Sequence, residues 1–205
     1  MSDTFWDQRY ANASYVYGTQ PNDFLVSMAG RIPRGPVLCL AEGEGRNAVF
    51  LAERGHAVTA VDGSAVGLRK AQELAASRGV SLVTQVADLA DFAITPGAWA
   101  GIVSIWAHLP PALRQRVHRQ VVAGLQPGGV FILEAYTPAQ LRHGTGGPKD
   151  PSLCMTLPAL RAELTGLTFH VGCEIERDVK EGVGHTGLAA VVQVCAHRPA
   201  AGGPR

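Results

Sequence analysis

The sequence predicts a doubly wound α/β fold on a mostly parallel sheet. Apolar, strand-like runs alternate with segments whose apolar residues recur at helical spacing. The runs are continuous rather than alternating, so both faces of the sheet have to be covered. A glycine-rich loop, `AEGEGRNA`, follows the first run directly.

In chain order, β-like runs lie at Val37–Ala41, Ala57–Val61, Ser81–Val86, Gly101–Trp106 and Val130–Tyr136. Ser64 suits the N-cap of a helix that Gly79 ends, because its hydroxyl can accept from the free N–H groups of the first turn. Pro110 and Pro111 can open another, with Leu113, Val117, Val121 and Leu125 on one face and `QPGG` stopping it. The last third changes character. A Gly/Pro-rich loop, `RHGTGGPKDPS`, and a short helix around `TLPALRAELTG` precede two long runs, `LTFHVGCEIERDVK` and `HTGLAAVVQVCAHRP`, joined by `EGVG`. Glycine in so short a joint favours a β-hairpin. The tail `PAAGGPR` has nothing to bury and reads as disordered.

The chain has 205 residues, with 46% hydrophobic and 17% charged residues and Lys+Arg 18 against Asp+Glu 17. That length suits one domain with a substantial core. Neither charge sign is in excess, which argues against nucleic acid or acidic lipid as partner and toward small molecules. No apolar run approaches the ~20 residues a membrane-crossing helix needs, and `MSDTFWDQRY` lacks the apolar centre of a signal peptide. A cytoplasmic protein, monomer or homodimer, is expected. Cys39, Cys154, Cys173 and Cys195 fall singly and the histidines form no HxxxH or HExxH pattern, so neither disulfide nor metal is expected.

Gly43, Gly45 and Ala48 fit GxGxxA, and Asp62 lies about twenty residues on, at the end of the second run. The glycines let backbone approach a ligand above the first strand, and the carboxylate can accept both hydroxyls of a ribose. NAD and S-adenosylmethionine share these needs. Glu42, between strand and glycines, suits the ammonium of a methionine moiety and would repel a pyrophosphate. Asp88, in `QVADLADF`, sits at the third strand's tip and can accept from an adenine amino group. The ending `LQPGGVFILEAY` plus a hairpin differs from a second mononucleotide-binding half. The methyl donor is therefore favoured.

On `FWDQRY`, `YGTQPNDFL`, `EGEGRN`, `AVD`, `ADLADF`, `LPPALRQRVHRQVVAGLQPGGVFILEAY` and `EGVGHTGLAAVVQV`, the chain resembles class I S-adenosylmethionine-dependent methyltransferases, nearest to the small bacterial group related to tellurite and thiopurine methyltransferases. The resemblance runs over nearly the whole chain. It implies a Rossmann-like sheet of seven strands whose last, near Ala189–Ala196, inserts antiparallel. It implies S-adenosyl-L-methionine as cofactor and S-adenosyl-L-homocysteine as product, with Asp62 on the ribose and Asp88 and Leu89 flanking the adenine. The expected cofactor residues are Tyr17, Glu42, Gly43, Gly45, Arg46, Asn47, Asp62, Gly63, Ser64, Asp88, Leu89 and Trp106. Residues 1–30 form a lid, 31–136 the cofactor core, 137–198 the substrate side and 199–205 the tail. Two positions depart from the pattern: Cys39 replaces an acid and Ala41 a glycine.

Trp6, Arg9, Tyr10, Tyr15 and Tyr17 show no clean period and read either as a cap on the core or as the lid, whose aromatic faces would attract a sulfonium. His108, after the fourth strand, and His185, opening the last one, are the catalytic candidates on the acceptor side. Methyl transfer from a positively charged sulfur mainly requires alignment and exclusion of water. With no metal cluster and single histidines, a soft nucleophile such as a thiol or a selenium or tellurium oxyanion is the expected small-molecule acceptor. Two alternatives stand beside this reading: an NAD(P)-dependent oxidoreductase, from GxGxxA, and a non-catalytic adenosylmethionine-binding module, from the altered `CLAEGEG`.

Overall fold

The computed structural model describes residues 3–200, with side chains from residue 5 onward. Residues 201–205 of the tail expected to be disordered lie outside the described residues. Seven strands form one sheet: β1 (Pro36–Leu40), β2 (Ala57–Asp62), β3 (Val83–Val86), β4 (Trp99–Ile105), β5 (Leu125–Tyr136), β6 (Thr168–Glu181) and β7 (His185–His197). Their spatial order is β3-β2-β1-β4-β5-β7-β6. Strands β1 to β5 pair in parallel, while β7 pairs antiparallel with both β5 and β6. The strand expected to insert antiparallel does so, Ile132 facing Cys195 and Leu133 facing Val194.

Alternate residues of each central strand feed two cores. Val37 and Cys39 of β1 and Val130 and Ile132 of β5 join Leu25, Leu51 and Leu68 on one face. Leu38 and Leu40, with Phe131 and Leu133, join Val117, Val121 and Leu160 on the other. Each such fully buried side chain contributes roughly 1.5–3 kcal/mol. Helices α3 (Arg46–Glu53) and α4 (Ala65–Ser77) cover the first face, α5 (Pro111–Gly124) and α6 (Leu157–Glu163) the second. Ser64 caps α4 as expected, its hydroxyl accepting from the Gly67 N–H at 3.0 Å.

Two differences from the sequence reading matter for the site. The N-terminal aromatics begin in a helix, α1 (Asp3–Tyr10), and a second, α2 (Asp23–Met28), follows. Strand β5 starts at Leu125, five residues before the expected Val130, because Leu125 already pairs with Trp99 of β4. Among the described residues, no helix is long and apolar enough to cross a membrane.

Candidate active site

The strand order reverses between β1 and β4, and a crevice at the carboxyl ends of such strands is where ligands bind in open α/β sheets. Both strand tips carry a residue in the left-handed region, Ala41 at φ 51° after β1 and Trp106 at φ 60° after β4. Such backbone costs a non-glycine residue roughly 1–2 kcal/mol and gathers at functional sites. Ala41 departs from the glycine that the resemblance implies, and its left-handed backbone is a conformation that favours glycine.

The loop after β1 is glycine for steric reasons too. Gly43 has φ 59°, and a methyl group on it would lie 2.6 Å from the Tyr10 hydroxyl. A methyl group on Gly45, at φ 89°, would lie 2.4 Å from Ala71 Cβ of α4. Asp62, at the end of β2, accepts from the Gly43 N–H through Oδ2 and from the Ser64 N–H through Oδ1, both at 2.8 Å. Its carboxylate thus fixes the glycine loop of β1 against the tip of β2, with Gly63 in the turn. Asp88 is exposed one strand further out, its Oδ1 accepting from the Ala90 N–H at 2.7 Å. The Leu89 side chain is packed into the core rather than laid open at the tip.

Glu42 differs from its expected role. Instead of facing outward to an ammonium, its Oε1 accepts from the N–H groups of Asn47 (3.0 Å) and Ala48 (2.8 Å), in the first turn of α3. Burial pushes its pKa up to about 7, opposed by those N–H groups and Arg46, and the Cys39 thiol is hydrogen-bonded to it. Cys39 and Glu42 therefore form one internal unit beneath the loop. Arg46 and Asn47 also turn toward the protein. Arg46 pairs with Glu181 and donates to the Gln20 carbonyl at 3.2 Å, while Asn47 Oδ1 accepts from the Asn22 N–H at 2.9 Å.

The N-terminal segment lies directly on this loop. Asp7 of α1 accepts from the Ser64 hydroxyl at 2.5 Å and the Val66 N–H at 3.2 Å, which ties α1 to the start of α4. The buried Tyr10 then covers both Gly43 and Gly67. Beyond α1, Lys70 donates to the carbonyls of Asn12 (2.9 Å) and Ser14 (2.8 Å) and pairs with Glu44, whose Oε2 accepts from the Val16 N–H at 2.8 Å. Neither Lys70 nor Glu44 was singled out in the sequence. The available signal was an acid between the two glycines with no ligand role.

At the tips of β4 and β5 the aromatics converge. Trp106 stacks on Tyr136 at 4.4 Å, and His185 meets Trp106 at 4.9 Å, Tyr136 at 5.5 Å and Tyr17 at 4.6 Å between ring centroids. His108 also stacks on Tyr136, at 5.5 Å between ring centroids. Both nitrogens of His108 are engaged: Nδ1–H donates to the Leu153 carbonyl at 3.0 Å, and Nε2 faces the Tyr136 N–H at 3.5 Å. Burial lowers the pKa of His108 to about 4 and that of His185 to about 3, leaving both imidazoles neutral. The Tyr136 hydroxyl and His185 Nδ1 are buried without a hydrogen-bond partner. Each such orphan costs about 1–3 kcal/mol. Tyr136, which sequence reading passed over as the end of an apolar strand, thus belongs to the site.

A buried charge network braces this cluster. The Trp106 indole N–H donates to Glu181 Oε2 at 2.5 Å, and Asn22 bridges Glu134 (2.5 Å) and Glu181 (2.7 Å). Arg177 donates to Glu134 through Nε (2.9 Å) and Nη2 (2.6 Å). Two arginines, 46 and 177, thereby balance two glutamates, 134 and 181, which keeps the buried charges paired.

Comparison with known proteins agrees with this geometry. A family model described as "Methyltransferase domain" matches residues 37–129. A 2-heptyl-1-hydroxyquinolin-4(1H)-one methyltransferase of Mycobacteroides abscessus is 30% identical over 136 residues, 65% of this chain. The matched region spans 60% of that relative's length. Among solved structures, one concerning the conversion of a disulfide bond into a thioacetal group during echinomycin biosynthesis has a TM-score of 0.77 at 19% identity, covering 97% of this chain and 92% of the other. Geranyl diphosphate C-methyltransferase of Streptomyces coelicolor, solved with S-adenosyl-L-homocysteine, has a TM-score of 0.67 at 12% identity, covering 96% and 97%. Residues 37–129 of this chain thus match a methyltransferase domain, and the chain shares its fold with S-adenosylmethionine-dependent methyltransferases among the solved structures.

Proposed function

We propose that the protein transfers a methyl group from S-adenosylmethionine to a small organic acceptor, bound against Tyr17, Trp106, Tyr136 and His185. The observation that carries this reading is the adjacency of two halves across the point of strand reversal. On one side lie the glycine loop and Asp62, on the other the aromatic cluster. The residues fit the cofactor: bare backbone at Gly43 and Gly45, a carboxylate at the tip of β2 for a ribose, and aromatic faces suited to a sulfonium. The bound cofactor supplies a methyl group already activated by positive sulfur. What the chain contributes is a fixed loop, exclusion of water and an oriented acceptor. Since the Tyr10 hydroxyl lies over Gly43, cofactor entry requires α1 to lift.

For the acceptor we favour a soft or acidic nucleophile on a small organic molecule, a thiol first. The relatives are compatible with this choice: one is named for a hydroxylated quinolone and another belongs to the conversion of a disulfide. Kinship with the tellurite and thiopurine group is part of the same proposal. Selenite and tellurite suit the cluster less well, because the nearest buried cations, Arg46 and Arg177, are already paired with Glu181 and Glu134. Release of S-adenosylhomocysteine should be compared across thiols, 1-hydroxyquinolin-4-one, selenite, tellurite, phenols, carboxylates and amines. Turnover confined to amines or carboxylates would refute the soft-nucleophile choice, and calorimetry in which NADH binds but S-adenosylhomocysteine does not would refute the whole reading.

A further inference from the structure

We propose that Glu181 is a positioning residue for methyl transfer: its buried carboxylate sets Trp106 of the acceptor wall and ties that wall to Arg46, the first residue of α3 under the glycine loop. This rests on the methyltransferase reading above, and Glu181 acts through Trp106 rather than on the reacting atoms. Trp106 needs holding because it follows β4 at φ 60°, a backbone that a bulky residue keeps only where its surroundings enforce it. Three contacts do so. Its backbone N–H donates to the Glu134 carbonyl at 2.9 Å, its ring stacks on Tyr136 with centroids 4.4 Å apart, and its indole N–H donates to Glu181 Oε2 at 2.5 Å. Stacking tolerates rotation of a ring in its own plane, whereas a directed hydrogen bond does not.

The hairpin places Glu181 for this task. Glu181 ends β6 and stands directly opposite His185, which opens β7. Opposite residues of an antiparallel pair send their side chains to the same face, and Trp106 meets both, the carboxylate through its N–H and the imidazole at 4.9 Å between centroids. The turn between them is wedged in place. A methyl group on Gly182, at φ 65°, would stand 2.3 Å from the Val16 carbonyl oxygen, and one on Gly184 would stand 2.3 Å from Tyr17 Cε1. The other carboxylate oxygen is fixed as well, Oε1 accepting from Asn22 at 2.7 Å and Arg177 at 3.2 Å.

The second bond of Oε2 makes Glu181 more than a prop for one ring. The same oxygen accepts from Arg46, which opens α3 directly after Gly45 and also donates to the Gln20 carbonyl at 3.2 Å. Burial disfavours charge on Glu181, but Arg46, the Trp106 N–H and Asn22 outweigh it and hold its pKa below the usual carboxylate range. The carboxylate therefore accepts as an anion, in charge-assisted bonds that are stronger and more directional than neutral ones. A displacement of α3 as a ligand enters the glycine loop reaches the indole through a single oxygen atom.

The indole N–H resonances of the isotope-labelled protein test this by NMR. There are three tryptophans, Trp6, Trp99 and Trp106. In the wild type the Trp106 resonance, assigned with Trp106→Phe, should lie downfield of the other two, exchange slowly with solvent, and move when S-adenosylhomocysteine binds. Glu181→Asp keeps the buried charges balanced but draws the carboxylate back by a methylene. Its Trp106 resonance should lose the downfield position, exchange at least tenfold faster and stop responding to S-adenosylhomocysteine, whose affinity by calorimetry changes less than threefold. With thiophenol as acceptor, kcat should fall tenfold or more while KM for S-adenosylmethionine changes less than threefold. A fast-exchanging Trp106 resonance at an ordinary position in the wild type would overturn the inference even if no Glu181 variant folds. So would a Glu181→Asp protein whose Trp106 resonance is unchanged or still follows the cofactor product, or whose loss falls on KM for S-adenosylmethionine alone. Failure of the wild type to bind S-adenosylhomocysteine would refute the methyltransferase reading instead, and a wild type that binds it without turning over thiophenol would refute the thiol choice; the indole resonance tests Glu181 in either case.

Discussion

Asp62 was legible in the sequence because its place, an acid at the end of the second apolar run, is set by the spacing from the glycines. Glu42 was not, because sequence order puts it between strand and loop without saying that the carboxyl turns back onto the Asn47 and Ala48 N–H groups. His108 and His185 looked alike as single histidines, and only packing separates them: His108 has both nitrogens engaged and holds Tyr136, while His185 keeps one bare. Two predictions belong at this scale. Asp62→Ala should lose at least tenfold in S-adenosylhomocysteine affinity by calorimetry, about 1.4 kcal/mol or more, because the proposed ribose anchor and the tie to the Gly43 and Ser64 N–H groups go together. Unchanged affinity in a folded variant would remove the ribose role. Ala41→Gly should raise stability by about 0.5–1 kcal/mol in denaturant titration, since φ 51° strains alanine and not glycine. A destabilised variant would mean that the Ala41 methyl packs more favourably than its backbone is strained.

Among the elements, the central strands were readable because buried parallel strands are continuous apolar runs, and α4 because Ser64 and Gly79 punctuate it. Helix α1 was hidden because `DTFWDQRY` has no apolar stripe. It is held by Asp7 on the Ser64 cap and by Tyr10 over two glycines, contacts that exist only once α4 and the loop are in place. The expected lid over residues 1–30 also divides into unequal parts. Phe24, Leu25 and Ala29 belong to the main core, so we expect any moving portion to end before α2. Lys70 straps that portion down through the carbonyls of Asn12 and Ser14 and through Glu44. Lys70→Met should therefore speed proteolytic cleavage between Ala11 and Gln20 at least tenfold, and S-adenosylhomocysteine should restore protection if the segment closes over the cofactor. Equal cleavage of wild type and variant would mean that Lys70 does not hold the segment closed.

For the molecule as a whole, buried titratable groups make stability depend on pH in a direction that can be worked out. His108 and His185 are held near 4 and 3, against 6.5 for the free side chain, so unfolding lets both take up a proton as the pH falls below about 6.5. Glu42 acts oppositely. Its folded pKa is about 7 against 4.5, so between those values the native state holds a proton that the unfolded chain has lost. Two protons taken up against one released leaves a net uptake of about one on unfolding between pH 6.5 and 4.5. Stability should then fall with acid, by on the order of 1 kcal/mol per pH unit, from a maximum near neutrality. Below 4.5 the fall should steepen. Glu163, held down to about 2 by His118 and Arg114 against the opposing effect of burial, keeps its charge when folded and loses it when unfolded. Denaturant titrations from pH 8 to 4 measure this directly. In His185→Gln one of the two protons is gone, the net uptake drops to about zero, and the curve between 6.5 and 4.5 should flatten. A wild-type curve that rises steadily toward acid, or a variant as steep as wild type, would mean that His185 is not buried as the neutral imidazole on which the acceptor site depends.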